Sequence, residues 1–320
     1  MHNKFGAVAK RPKATDCKSV ISPVRIRAAP LPLTVAAQVA TVFSLVEPPI
    51  PDPMIKTVSL NDIDLNVFDA GSGAPVLFVH GFPLDHTMWR EQLGALSQTH
   101  RVIAPDLRGF GRSGVTPGKV TMKQYADDLV ALLDHLQIRM PVTLCALSMG
   151  GYIAWQFFLN YHGRLERLIL CDTKAAADSE AARENRLQMA DLVLNEGTAS
   201  LAENMPAKLF SSRTLETQPE LVEEVRNVIR NTSPEGVSAA LLGMAGRPDM
   251  SAWLGQIDVP TLLIVGRDDQ ISTTEEMRGM SQAIAESTLV VVDDAGHMAP
   301  LEAPEAVNAA IEHFLLSPRD

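Results

Sequence analysis

Ser148 sits where a buried-looking stretch gives way to a helix. Val142-Thr-Leu-Cys-Ala-Leu147 is apolar and partly β-branched, which reads as a short buried strand. Gly150 and Gly151 follow the serine, and Tyr152-Ile-Ala-Trp-Gln-Phe-Phe-Leu159 then reads as a helix. Strand, serine, small residues and helix make a sharp turn that holds a hydroxyl out at the end of a sheet. Side chains two positions before and after the serine would collide across that turn, and they are Ala146 and Gly150. A hydroxyl so presented can attack a carbonyl carbon. The Met149 N–H, at the start of the helix, would point at the oxygen as it becomes negative. A serine that merely caps a helix shares this local order, so other stretches must decide.

Three do. His80-Gly81-Phe82-Pro83 follows an apolar strand. Its glycine permits close backbone approach, and the Phe82 N–H can join that of Met149 as a two-donor oxyanion hole. Taken alone, the stretch could equally be an ordinary strand exit. Gly266-Arg267-Asp268-Asp269 follows another apolar strand and supplies an acid able to orient a histidine. Asp294-Ala-Gly-His297 lies between the last strand and the last helix, where a general base belongs. The order Ser148, Asp269, His297 is the Ser…Asp…His order of one hydrolase fold. Asp172 and Asp268 also lie at strand ends, but the Gly-x-x-Asp spacing from Gly266 favours Asp269. His80, Gly81, Leu147 and Met298, adjacent to these stretches, are expected to line the substrate pocket.

The elements that must position these groups alternate. Ile55–Leu60, Ile63–Phe68, Pro75–His80, Arg101–Pro105, Val142–Leu147, Leu165–Cys171, Thr261–Gly266 and Ser287–Val292 read as eight strands. Thr87–Leu96, Thr121–Gln137, Thr273–Glu286 and Pro304–Leu316 read as helices between and after them, and Thr121–Gln137 is clearly amphipathic. Such alternation implies a mostly parallel sheet with helices on both faces. The spacing changes after Asp172. Glu184–Leu194, Leu201–Leu209, Pro219–Arg230 and Gly236–Met244 carry helical periods with no strand between them. This block, residues 173–247, is expected to be a helical lid over the carboxyl edge of the sheet, with 54–172 and 248–320 as the core.

Residues 1–53 differ from the rest. They carry seven Lys or Arg against three Asp or Glu, and clusters such as Pro48-Pro49-Ile50-Pro51-Asp52-Pro53, with no sustained period. The apolar run Leu33–Val46 is interrupted by Gln38, Thr41 and Ser44, follows an unusually long basic leader, and is too short to span a bilayer. The segment is expected to be a disordered or non-native extension, with patterned sequence starting at Met54. The whole chain, 320 residues with 28 basic and 38 acidic side chains, is acidic, which disfavours nucleic acid or an anionic membrane as a partner. Three scattered cysteines, Cys17, Cys145 and Cys171, form neither a disulfide framework nor a zinc site and favour a reducing compartment, the cytoplasm.

From Ile55 onward the chain resembles the α/β-hydrolase superfamily. The resemblance rests on His80-Gly81-Phe82-Pro83, Asp106-Leu107-Arg108-Gly109-Phe110-Gly111-Arg112-Ser113, Ala146-Leu147-Ser148-Met149-Gly150-Gly151, the Gly-x-x-Asp at 266–269 and Gly296-His297. Ala146 stands where the family usually has the first glycine of its elbow. Leu168-Ile-Leu-Cys-Asp-Thr173 with Ala177-Asp178 and Arg186, and Met244-Ala-Gly-Arg-Pro-Asp249, look like the esterase and 3-oxoadipate enol-lactonase branch. The resemblance implies a four-helix lid, a small-acyl pocket, and hydrolysis of small carboxylic esters through an acyl-enzyme, without cofactor or metal. Lactone opening, perhydrolysis and C–C bond hydrolysis use the same parts, and a ligand-binding receptor is the alternative of another class. A serine at the elbow, where related dehalogenases and epoxide hydrolases resemble one another in having aspartate, argues against those two. No dense basic cluster appears in the lid, so short neutral acyl groups are the expected substrates, taken up by a monomer or homodimer.

Overall fold

A computed structural model describes residues 54–60 and 62–317, and the expectation for residues 1–53 lies outside them. Eight strands form one sheet: β1 (Ile55–Ser59), β2 (Asp64–Ala70), β3 (Pro75–Val79), β4 (Arg101–Pro105), β5 (Val142–Leu147), β6 (Leu165–Cys171), β7 (Thr261–Gly266) and β8 (Ser287–Val292). Their spatial order is β1-β2-β4-β3-β5-β6-β7-β8. β2 runs antiparallel to both β1 and β4, and every other pairing is parallel. All residues of β3, β5 and β7 are buried, so their continuous apolar character follows from helices covering both faces. Each Val, Leu or Ile so buried contributes about 1.5–3 kcal/mol relative to exposure.

Three α-helices precede β6, α1 (Arg90–Leu96), α2 (Met122–His135) and α3 (Met149–Tyr161), and a 3₁₀ turn, His86–Trp89, leads into α1. The stretch expected as one helix from Thr87 is thus split in two. Between β6 and β7 lie only helices: α4 (Glu180–Glu196), α5 (Ala199–Asn204), α6 (Pro206–Leu209), α7 (Ser212–Thr217), α8 (Pro219–Asn231) and α9 (Pro234–Ala245), then a 3₁₀ turn at Ser251–Gln256. α10 (Thr274–Ala283), α11 (Ala299–Glu302) and α12 (Pro304–Leu316) complete the chain. In the inserted block, α4 and α9 pack on each other. Its two connections are tied together where they leave and rejoin the sheet. The Met250 N–H donates to the Ala175 carbonyl at 2.9 Å, and Arg247 donates to the Ala176 carbonyl at 3.0 Å.

Parallel register brings the strand ends to one edge. Val79 pairs with Ala146, Leu147 with Cys171, and Gly266 with Val292. The residues that leave β3, β5, β6, β7 and β8 therefore emerge side by side, which is where an open α/β sheet places its ligands.

Candidate active site

Ser148 occupies the strained turn expected of it. Its φ of 54° and ψ of −112° lie in a region that non-glycine residues avoid. The strain is held from both sides. The Ser148 N–H donates to the Cys171 carbonyl at 3.0 Å, and its own carbonyl accepts from the Thr173 hydroxyl at 2.8 Å and the Gly151 N–H at 2.9 Å. A Cβ on Gly150 would lie 2.4 Å from the Val79 carbonyl oxygen, so the turn closes only with glycine there. Although Ser148 precedes α3, its side chain makes no capping hydrogen bond. It faces a cavity of about 270 Å³, whose wall also includes Phe82, Tyr152 and His297.

His297 and Asp269 meet across the ends of β8 and β7. Nδ1 of His297 lies 2.8 Å from Oδ2 of Asp269, and both side chains are buried. The other Asp269 oxygen accepts the N–H groups of Ile271 at 2.7 Å and Ser272 at 3.1 Å, which fixes the carboxylate plane. Asp268 is exposed at the neighbouring position. Asp172 is fully buried with φ 45°, and one of its oxygens accepts the Gly266 N–H at 2.8 Å while the other has no hydrogen-bond partner among the described residues. Burial, reinforced by the nearby Asp269 charge, pushes the Asp172 carboxyl well above its ordinary value.

The N–H groups of Phe82 and Met149 donate to no other group among the described residues. A Cβ on Gly81 would lie 2.7 Å from Leu147 and 3.4 Å from the Ser148 Cβ, so the Phe82 loop rests directly on the serine turn. Four residues expected on the pocket wall lie behind it instead. The His80 ring is fully buried between two backbone groups: its Nε2 accepts the Leu107 N–H at 2.9 Å, so Nδ1 carries the proton and donates to the Gly81 carbonyl at 2.9 Å. Burial lowers the His80 pKa, in keeping with a neutral ring. Gly81, Leu147 and Met298 are buried supports of the serine and histidine loops, not cavity lining.

The inserted helices supply most of the wall, through Met189, Leu201, Met205, Leu241 and Met244 on the apolar side and Asn185, Arg186, Ser200, Asn204 and Lys208 on the polar side. Among the described residues, no Asp or Glu lines the cavity. Asp178 holds Arg186 at 2.6 Å and Arg247 at 2.7 Å. Burial alone would raise the Asp178 pKa, but the two guanidinium groups outweigh it and keep the carboxyl low. Lys208 has no ionic partner among the described residues. Arg186 and Lys208 escaped the sequence reading as wall residues, because only the folding of α4, α5 and α6 around one space brings them together.

A larger cleft of about 480 Å³ lies between α8 and the His86–Trp89 turn, but it contains neither Ser148 nor His297. Among the described residues, Asp85, His86 and Asp106 are the one group whose potential ligand atoms cluster as a metal site would. Asp106 is already occupied there: one oxygen accepts from His86 twice, and the other from Asn66 and Arg112.

The sheet order, the serine turn and the helical insertion define the α/β-hydrolase class. The family profile for the alpha/beta hydrolase fold matches residues 74–304, and the chain belongs to that family. The thermophilic esterase of Thermogutta terrifontis, solved with malate bound, is 46% identical, covers 82% of this chain and 98% of its own, and superposes with a TM-score of 0.80. The enol-lactonase of Burkholderia xenovorans LB400 is 28% identical, with coverage of 82% and 100% and a TM-score of 0.76. 3-Oxoadipate enol-lactonase 2 of Acinetobacter baylyi is 30% identical over 258 residues, 80% of this chain and 94% of that protein. The chain is thus a hydrolase with esterase and enol-lactonase relatives. No helix among the described residues is long and apolar enough to cross a membrane.

Proposed function

We propose that the protein hydrolyses small carboxylic esters, with Ser148 as nucleophile, His297 as general base and Asp269 as the acid that orients it. One observation carries the reading: a serine on a strained strand-to-helix turn shares a cavity with a histidine whose Nδ1 meets a buried carboxylate at 2.8 Å. His297 takes the Ser148 proton as the oxygen attacks the ester carbonyl. The Phe82 and Met149 N–H groups receive the developing oxyanion. His297 then gives the proton to the leaving alkoxide, leaving an acyl group on Ser148. Water, activated by the same imidazole, releases the acid and restores the serine. Asp269 keeps the proton of neutral His297 on Nδ1, leaving Nε2 free to accept. A cavity of about 270 Å³ suits short acyl groups. Steady-state turnover of p-nitrophenyl acetate tests this. A receptor would give at most a few turnovers per chain, and a Ser148→Ala variant retaining more than a few per cent of the activity would sink the assignment.

A second reading is favoured by the wall. Two cations and no acid line the cavity of a chain whose formal net charge is −10. Asp178 offsets one charge of the Arg186–Arg247 pair, and Lys208 has no ionic partner among the described residues. An ester or lactone bearing a second carboxylate would fit this polar side, in place of the neutral substrate expected from sequence. The enol-lactonase relatives and the malate-bound esterase support that reading. Lys208→Met should then raise KM for a succinate monoester several-fold and leave KM for the neutral acetate ester unchanged. Equal effects on both substrates would remove the second reading and leave the first.

A further inference from the structure

Glu302 has no part in the chemistry described so far, yet its carboxylate is almost wholly enclosed. The residue is 8% exposed and ends α11, five residues after His297. One of its oxygens, Oε1, accepts the N–H of Gly296 at 2.8 Å and the N–H of Met298 at 3.2 Å. These N–H groups belong to the two residues on either side of His297. Its other oxygen, Oε2, accepts the N–H of Ser211 at 2.8 Å. Ser211 belongs to the insertion and precedes α7. A single carboxylate therefore bridges the histidine loop and the inserted block.

The packing around it leaves little slack. A Cβ on Gly296 would lie 2.7 Å from the Ser211 nitrogen and 2.8 Å from the Phe210 carbonyl carbon, so the insertion backbone lies flat on the histidine loop. On the opposite side, a Cβ on Gly266 would lie 2.0 Å from the Gly296 carbonyl oxygen. The loop that carries His297 is thus held between the end of β7 and residues 209–211. The Ser211 hydroxyl adds a second tie, donating to the Asp294 carbonyl at 3.1 Å. None of these contacts involves a cavity-lining atom of Glu302, which is absent from the wall.

We propose that Glu302 is a positioning residue that couples the seating of the inserted helices to the placement of His297. The carboxylate can hold His297 in register only while Ser211 occupies its place, because both oxygens of one rigid plane are engaged at once. A displacement of residues 209–211 pulls on the N–H groups that flank the histidine. The site is then complete only when the insertion is seated over it. This inference rests on the reading of His297 as the base.

Glu302→Gln isolates the coupling at nearly constant shape. An amide offers one acceptor and one donor head where the carboxylate offers two acceptors. If its oxygen faces Gly296 and Met298, its NH₂ meets the Ser211 N–H, and the opposite flip places two donors against the histidine loop. Either way a buried donor loses its acceptor. The expected result is a fall in kcat for p-nitrophenyl acetate of roughly 10- to 100-fold, the scale on which about an ångström of misplacement slows catalysis, with KM within twofold of wild type. Labelling of Ser148 by a serine-directed organophosphonate should slow by a similar factor. Hydrogen exchange should quicken together in residues 209–217 and 294–300. Val307→Ala, which trims a buried α12 side chain, serves as a control for stability loss alone and should leave kcat unchanged.

Several outcomes would overturn the proposal: unchanged kcat and labelling in Glu302→Gln, a loss confined to KM, an equal loss of kcat in Val307→Ala, or exchange that quickens in only one of the two segments. Failure of the underlying function is separable. If His297→Ala keeps turning over, His297 is not the base, whereas an inactive His297→Ala beside a fully active Glu302→Gln removes only the coupling.

Discussion

At the scale of single residues, three aspartates near the serine have been assigned different chemistry by their surroundings. Asp269 is ringed by donors: His297 on one oxygen, the Ile271 and Ser272 N–H groups on the other. Asp172 has one donor, an oxygen without a partner and a carboxyl pushed up by burial. Asp268 is exposed. Asp269→Asn should therefore cost turnover on the order of 10⁴-fold by favouring the wrong imidazole tautomer, the scale known for this change in a serine protease. Asp268→Asn and Asp172→Asn should stay within about tenfold of wild type. Steady-state kinetics of the three variants decides, and a crippled Asp172→Asn would move the orienting acid to β6. Ser148, Asp269 and His297 were legible as candidates because each sits at a fixed offset from an apolar strand. Glu302 was not, because its partners are backbone N–H groups, which carry no signature of their own. His80 misled for the related reason that both its ring nitrogens are taken by backbone groups, which drew it behind the wall.

At the scale of elements, the loop from Asp106 to Ser113 shows how one buried acid organises a turn. The Asp106 carboxylate accepts from His86, Asn66 and Arg112, and Gly111, at φ 53°, could not carry a Cβ, which would lie 2.2 Å from an Asp106 oxygen. Burial opposes the Asp106 charge, but the His86 bond and charge outweigh it and hold the pKa at about 2. For His86, burial favours the neutral ring, yet the Asp106 contact prevails and raises the pKa above its ordinary 6.5. The raised histidine contributes stability that is complete below 6.5 and is lost as pH climbs through its folded value. The depressed aspartate contributes stability that is complete above 3.8 and is lost as pH falls towards about 2. The stability difference between wild type and His86→Gln in urea should thus be largest between these two ordinary values and shrink on both sides. A difference that grows above neutral pH would contradict the pairing. The central strands β3, β5 and β7 were readable since burial on both faces leaves a continuous apolar run. The inserted helices were less so. Ser179 caps α4 and starts it at Glu180, four residues before its apolar period shows. Pro206 divides the expected Leu201–Leu209 helix, having no N–H to continue it. The short α7, Ser-Arg-Thr-Leu-Glu-Thr, has no apolar face to announce it.

At the scale of the whole described molecule, the question is whether the insertion and the sheet form one cooperative body. Their contact is made of backbone as much as side chain. A Cβ on Gly236 would lie 1.9 Å from the Gly109 carbonyl oxygen, and one on Gly243 would lie 1.8 Å from that of Val120. These glycines stand seven apart in α9, on one face, and press it against two core loops. The Val120 N–H closes the seam by donating to the Ala239 carbonyl at 3.2 Å. The neighbours are main chain, which cannot rotate aside. Gly243→Ala must therefore lift α9 from the core, at a cost of about 1–3 kcal/mol for overpacking. Because α9 also carries Leu241 and Met244 into the cavity wall, the same change should raise KM for a short ester. Gly94→Ala provides the contrast. It lies in α1 with open space around it, so the added methyl should stabilise the helix by roughly 0.5–1 kcal/mol and leave KM unchanged. Urea unfolding of both variants, followed by circular dichroism and by fluorescence of buried Trp89 and Trp155, separates the cases. If the body is cooperative, Gly243→Ala shifts both probes to one lower midpoint. If circular dichroism loses helix before the fluorescence changes, the insertion melts apart from the sheet, and the backbone seam along α9 does not bind the two into one unit.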